Sequence, residues 1–388
     1  MRTGRLSIAY VHYGAQSGVT DQVARALEAR GHDVRLVEAT GDLEPRDPVS
    51  RRLRPAPAFA LNLAVAAARF GLGRSALDHR WNTPYAFDHH ALRAGEALRA
   101  LDPPPQVVLQ NGALFAPGLP APYPYALLLD HTRALAMRSP AWPVAGLAAP
   151  VDYGEAWRAR ETALYRRARL VATFSENVAR SLADDYGVDP ARVRVVGAGA
   201  NTFPGNAPRQ DDGRTILFVG RDFARKGGPV LAEAFARLRR LEPRARLLVA
   251  GPPTPPKLPE GGHWLGPVEL DELPALFAQA TVFAMPSLRE PFGLAFLDAM
   301  ACAVPCVGPD HEAVPEIVSE GETGLLVPPG DAGALAHALE RLLADPVRAR
   351  AMGARGRARV AARFLWSHVA ARLERALLSA VSPRGKAA

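Results

Sequence analysis

Lysine is almost missing from this chain. Of its 47 cationic side chains only Lys226, Lys257 and Lys386 are lysines, and arginine supplies the rest. The formal net charge of +8 therefore reflects a skewed composition as much as a binding surface, and no nucleic-acid partner is expected from it. Cysteine is scarcer still. Cys302 and Cys306 stand alone with no nearby His pair, which excludes a zinc site and leaves two buried, reduced thiols in a cytoplasmic protein. No apolar run approaches the roughly 20 residues that span a bilayer. The opening "MRTGRLSIAYVHYG" has no charged leader, apolar run and small-residue cleavage site, so it reads as an immediate strand rather than a signal peptide.

Short repeats and low-complexity arrays are also missing. What is present is apolar substance: 48% of 388 residues are hydrophobic, too many for a disordered chain. The length exceeds one ordinary core, so two domains are expected. Charge of one sign gathers in a single place. Residues 51–80 hold six arginines (51, 52, 54, 69, 74 and 80) against one acid, Asp78. A basic segment with an apolar face suits an anionic membrane surface; it also suits a core helix rimmed by arginine.

The first half alternates strand and helix patterns. "LSIAYVHY", "QVVLQNG", "YALLLDH" and "RLVATFS" are short apolar runs ending in polar residues. Helix-compatible segments follow, such as "SENVARSLADDYGV" with Ser175 placed as its cap. Val193–Gly213, rich in Gly, Pro and Asn, is the expected linker. A second alternating series then starts at "RTILFVG". Alternation of this kind predicts parallel sheets covered by helices, hence an α/β protein of two doubly wound domains, residues 1–200 and 210–365. Ligands of such sheets bind beyond the carboxyl ends of the strands.

Two stretches carry chemistry. "FVGRDFARKGGPVL" sets Arg221 after a strand and Lys226 before a helix, with Gly227 and Gly228 permitting close backbone approach and Pro229 at the first helical turn. Cations beside a helix N-terminus suit a pyrophosphate. No Gly-Lys-Ser/Thr follows, so this is not a Walker loop. "SLREPFGLAFLDAM" places Glu290 ahead of a helix that carries a second acid, Asp298, about 8 Å along its axis. A carboxylate beside free amides can grip sugar hydroxyls, which donate and accept. A ligand with two hydroxylated rings joined by phosphates would meet both acids; Asp298 also fits a buried acid paired with an arginine.

These strings resemble the retaining GT-B glycosyltransferases of the family-4 type. "EPFGLAFLD" matches their Glu-x7-Glu signature through Leu294, with Asp298 in place of the second Glu. "FVGRDFARKGG", "LGPVELDELPALFAQA", "AVPEIVSEGETGLLVPPGD" and, near the start, "SGVTDQVARALEARGHDV" match further strings. The resemblance implies two Rossmann-like domains facing across a cleft, a nucleoside-diphosphate-sugar donor as substrate, and no metal or other cofactor. It implies that Arg221 and Lys226 hold the diphosphate and stabilise the departing charge, and that Glu290 binds donor-sugar hydroxyls with amides near Phe292, Gly293 and Leu294. Asp298 would receive the ribose, Gly18 would let the N-terminal loop approach the phosphates, and backbone near Val268 would meet the base. The final helix, about 366–388, is expected to cross back onto the first domain.

In "LLLDHTRALAMR", Asp130 and His131 end a strand in the expected acceptor half. The resemblance places His131 near the reacting carbon, while Asp130 or Thr132 also fits a simple helix cap. Two other classes compete. A Rossmann oxidoreductase would want G-x-G-x-x-G between strand and helix, whereas "VGAGANTFPG" precedes a linker. A catalytically silent sugar-nucleotide-binding module would use the same donor residues.

Overall fold

The computed structural model describes residues 4–14, 16–39, 43, 57–140, 142–144, 146–204 and 209–381. Arg51, Arg52, Arg54, Lys386 and the last seven residues of the expected final helix lie outside them.

Six strands build the first sheet: β1 (Ser7–His12), β2 (Asp33–Glu38), β3 (Val107–Asn111), β4 (Tyr125–Leu129), β5 (Leu170–Thr173) and β6 (Val193–Val195). They run parallel in the order β2-β1-β3-β4-β5-β6. Period-two alternation sends Ile8 and Tyr10 to one face and Ala9 and Val11 to the other, and both faces are buried. That double burial explains why these strands read as continuous apolar runs. The helices are α1 (Val19–Glu28), α2 (Pro57–Phe70), α3 (Arg74–Asp78), α4 (Pro84–Arg99), α5 (Arg133–Arg138), α6 (Glu155–Arg167) and α7 (Glu176–Asp184). Ser175 caps α7 as its position predicts, accepting from the Val178 amide at 3.2 Å.

The second sheet holds β7 (Thr215–Val219), β8 (Arg246–Ala250), β9 (Gly262–Gly266), β10 (Val282–Ala284), β11 (Cys306–Pro309) and β12 (Gly324–Val327), parallel in the order β12-β11-β10-β7-β8-β9. Its helices are α8 (Gly228–Leu238), α9 (Leu273–Gln279), α10 (Leu294–Ala301), α11 (Val314–Ile317), α12 (Ala332–Ala344) and α13 (Pro346–Arg363). A last helix, α14 (Trp366–Val381), returns to the first domain and packs on α1. Its buried Glu374 accepts from Nε of Arg30 at 2.7 Å and stands 3.0 Å from Nε2 of His32, whose Nδ1 accepts from the Leu6 amide. The linker expectation needs one correction. Val193–Val195 pairs with β5 as an edge strand, so the connection begins after it. Cys302 and Cys306 are free and buried, and burial raises the Cys302 thiol to about 12.

Candidate active site

β7 delivers Gly220 and Arg221 to the carboxyl end of the second sheet, and a tight turn leads into α8. Gly227 caps that helix at φ 72°, and a Cβ there would stand 1.9 Å from the Pro286 carbonyl oxygen. A Cβ at Gly228 would strike the Phe223 ring at 2.2 Å. Protein packing by itself therefore demands glycine at both positions.

Lys226 reaches from this turn to Glu290. Its Nζ lies 2.9 Å from Oε2 of Glu290, and the Ser287 hydroxyl donates to the same oxygen at 2.8 Å. Glu290 is only 5% exposed. Burial alone would raise its pKa, but Lys226, the nearby Arg225 and the two hydrogen bonds outweigh that and hold it below the ordinary carboxylate range. Arg225 is itself fixed, donating to the Arg289 carbonyl at 2.8 Å and pairing with Asp222 at 3.3 Å. Arg221 is exposed and makes no ion pair or side-chain hydrogen bond among the described residues.

Phe292, Gly293 and Leu294 form the entrance to α10, with Gly293 as its N-cap at φ 110°. The Phe292 side chain faces the other domain. Its ring packs edge-on against Phe174, just past β5, with centroids 5.4 Å apart.

The first domain meets this entrance with the end of β4. Thr132 is the cap of α5, accepting from the Leu135 amide at 3.3 Å, so Asp130 and His131 are left to the cleft. Nε2 of His131 stands 3.7 Å from Oε1 of Glu312. The other Glu312 oxygen accepts from the Glu290 amide, and His311 hydrogen-bonds the Ser287 carbonyl at 2.9 Å. Asp130 is exposed to the cleft, with protein crowded around the base of its side chain. That loss of solvation raises its pKa against the opposing pull of His131 and Arg225. Glu312 is held low, because His131, the Glu290 amide and His311 overcome its burial.

Two more contacts join the halves. The Glu316 carboxylate accepts from the amides of Glu176 and Asn177 at 2.8 and 2.9 Å, completing the cap of α7 from the opposite domain. Gly18, the N-cap of α1, lies so near Leu270 that a Cβ would sit 3.4 Å from its Cδ1; Val268 is two residues away. The expected phosphate-side loop and base-side loop therefore face each other.

Asp298 is the departure. It is 3% exposed and its Oδ1 accepts from the Thr202 amide at 2.9 Å, with the Asn201 backbone also donating. The carboxylate is held by linker amides where the chain leaving the first sheet passes α10. Burial pushes its pKa up to about 7, opposed by those amides. Glu312, Glu316, Ser287, Arg225 and His311 were not anticipated. The one local hint was acids directly after an apolar strand, in "VGPDHEAVPE".

Two Rossmann-like domains meeting carboxyl edge to carboxyl edge, with an ionised carboxylate, a lysine and arginines at the seam, define the GT-B architecture. Comparison with known proteins agrees. The family described as Glycosyl transferases group 1 matches residues 213–345, and the one described as Glycosyltransferase Family 4 matches residues 16–202. The chain belongs to the GT-B glycosyltransferases of this group. It is 35% identical over 219 residues to an alpha-maltose-1-phosphate synthase of Mycolicibacterium smegmatis, covering 47% of this chain and 56% of that enzyme. The chain spans about half the length of the curated relatives it matches at this level of identity. Among solved structures, a sucrose-phosphate synthase from Thermosynechococcus elongatus superposes with a TM-score of 0.71 at 25% identity, over 97% of this chain and all of that one. Anabaena HepE, solved with UDP and glucose, superposes with a TM-score of 0.62 at 15% identity over 97% of this chain and all of that one, a likeness of fold.

Proposed function

We propose that the protein transfers a sugar from a nucleoside-diphosphate sugar to an acceptor hydroxyl with retention of anomeric configuration. The observation that carries this reading is the Lys226–Glu290 pair, 2.9 Å apart at the junction of two helix entrances. Helix N-termini and cations favour a diphosphate, while a carboxylate kept ionised accepts from sugar hydroxyls. In this reading Lys226 and the unpaired Arg221 neutralise the diphosphate, and Arg225 adds positive potential. The bond between the anomeric carbon and the phosphate oxygen breaks with its electron pair going to phosphate. The acceptor oxygen bonds to that carbon on the same face, and its proton passes to the departing phosphate oxygen. His131 and Asp130 line the acceptor side. The UDP in HepE supports a nucleotide donor of that kind.

The test is transfer from a panel of UDP-, GDP- and ADP-sugars, with the product's anomeric configuration read by NMR. Inversion, or unchanged transfer by Glu290→Gln and Lys226→Ala, would sink the reading. Donor binding without transfer or hydrolysis would favour the silent module. A cytoplasmic setting with a peripheral membrane contact through residues 51–80 completes the proposal. Around α2 and α3, Leu61, Leu72 and Leu77 are 53, 87 and 43% exposed, close in sequence to the exposed Arg74. Among the described residues no helix is long and apolar enough to cross a membrane. Co-sedimentation with anionic vesicles at physiological salt tests the contact, and no binding ends it.

A further inference from the structure

A cavity of about 660 Å3 opens on the first domain, at the amino ends of β4 and β5 and thus on the side away from the cleft. One wall is a stiff, apolar loop containing Pro120, Pro122 and Tyr123; the other is the face of α6, where Ala159 and Ala163 are too small to fill the space. Three arginines reach it: Arg160, Arg167 and Arg169. None of its lining residues is acidic.

The three arginines are not equivalent. Arg160 is bound by Asp88, Nε to Oδ1 at 2.8 Å. Arg167 and Arg169 make no ion pair or side-chain hydrogen bond among the described residues. Arg167 ends α6, where the helix dipole by itself favours a cation. Arg169 has no such reason. Its backbone is anchored just ahead of β5, donating to the Tyr125 carbonyl at 2.9 Å, and its side chain is exposed. Guanidinium groups match phosphate oxygens in a planar, bidentate fashion, and proline and tyrosine faces suit a ring.

We propose that this cavity binds an organic phosphate, its anionic group between Arg167 and Arg169 and its ring against Pro120, Pro122 and Tyr123. The site is separate from the donor clamp. It is nonetheless joined to the acceptor side, because β4 begins at Tyr125 on the cavity and ends one residue before Asp130.

The probe is phenyl phosphate, with inorganic phosphate as the ringless control, titrated into the full chain by calorimetry and thermal shift. Wild type and Lys226→Ala should bind phenyl phosphate alike. Arg167→Gln/Arg169→Gln should bind it at least tenfold more weakly, and inorganic phosphate should bind wild type at least tenfold more weakly. Ala163→Leu, which fills the cavity without touching its charge, should also abolish binding. The proposal is overturned by no saturable binding, by binding that ignores the arginine pair or Ala163→Leu, by loss in Lys226→Ala, or by equal affinity for inorganic phosphate.

Discussion

His131 and Glu312 approach to 3.7 Å across the cleft, one from each domain, and Glu312 does so from a left-handed backbone at φ 52°. A side chain other than glycine in that region costs about 1–2 kcal/mol. The carboxylate offsets the strain by accepting from the Glu290 amide and facing His131. Glu312→Gln keeps the acceptor oxygen but removes the charge. Hydrogen bonds to charged groups contribute about 1.5–3 kcal/mol, so kcat/KM for transfer should fall roughly ten- to a hundredfold. Glu312→Gly should melt no lower than Glu312→Gln, since it also relieves the backbone. Steady-state kinetics and thermal melts check both.

Lys226 and Glu290 form a buried pair whose side chains are 16 and 6% exposed. Lys226→Met leaves a carboxylate without its principal cation, and a loss of about 3 kcal/mol is expected. Because the folded pKa of Glu290 is depressed, its stabilising share is present above its ordinary pKa and lost as pH falls through the folded value. The stability gap between wild type and Lys226→Met, from urea melts, should therefore narrow below about pH 4.

How far the sequence announced all this differs by residue. Strand runs such as "YALLLDH" and caps such as Ser175 are local signals, and they matched the folded elements. Lys226 and Glu290 were legible because each stands beside a turn that opens a helix. Glu316 was not: the amides it accepts from are 140 and 139 positions away, and only the docking of two domains brings them together. Glu312 has no local pattern that marks a left-handed backbone, and Asp298 gave no sign that linker amides would reach it.

Glu316 also offers a direct handle on domain closure. Its carboxylate caps α7 from the other domain, and removing a cap of this kind costs about 0.5–2 kcal/mol. In Glu316→Ala the two amides turn to water at little further cost, so the closed arrangement should lose that amount. Small-angle scattering should show a larger radius of gyration than wild type; an identical curve would refute a latch.

Asp298 makes the pH dependence of stability specific. Its pKa rises from 3.8 when unfolded to about 7 in the buried site. Between those values the native state holds a proton that the unfolded chain has released, so stability falls as pH rises through the window. The cost is absent below about pH 4 and complete above about pH 7, bounded by some 4 kcal/mol at roughly 1.4 kcal/mol per unit. Cys302 is the titratable neighbour; its thiol, pushed to about 12 by burial, stays neutral throughout. Asp298→Asn keeps an oxygen for the Thr202 amide and removes the charge. Its stability relative to wild type should therefore improve from pH 5 to about pH 7 and level off above it. Chemical denaturation at each pH measures that difference, and a flat difference would mean the carboxylate is solvated in a way this burial forbids.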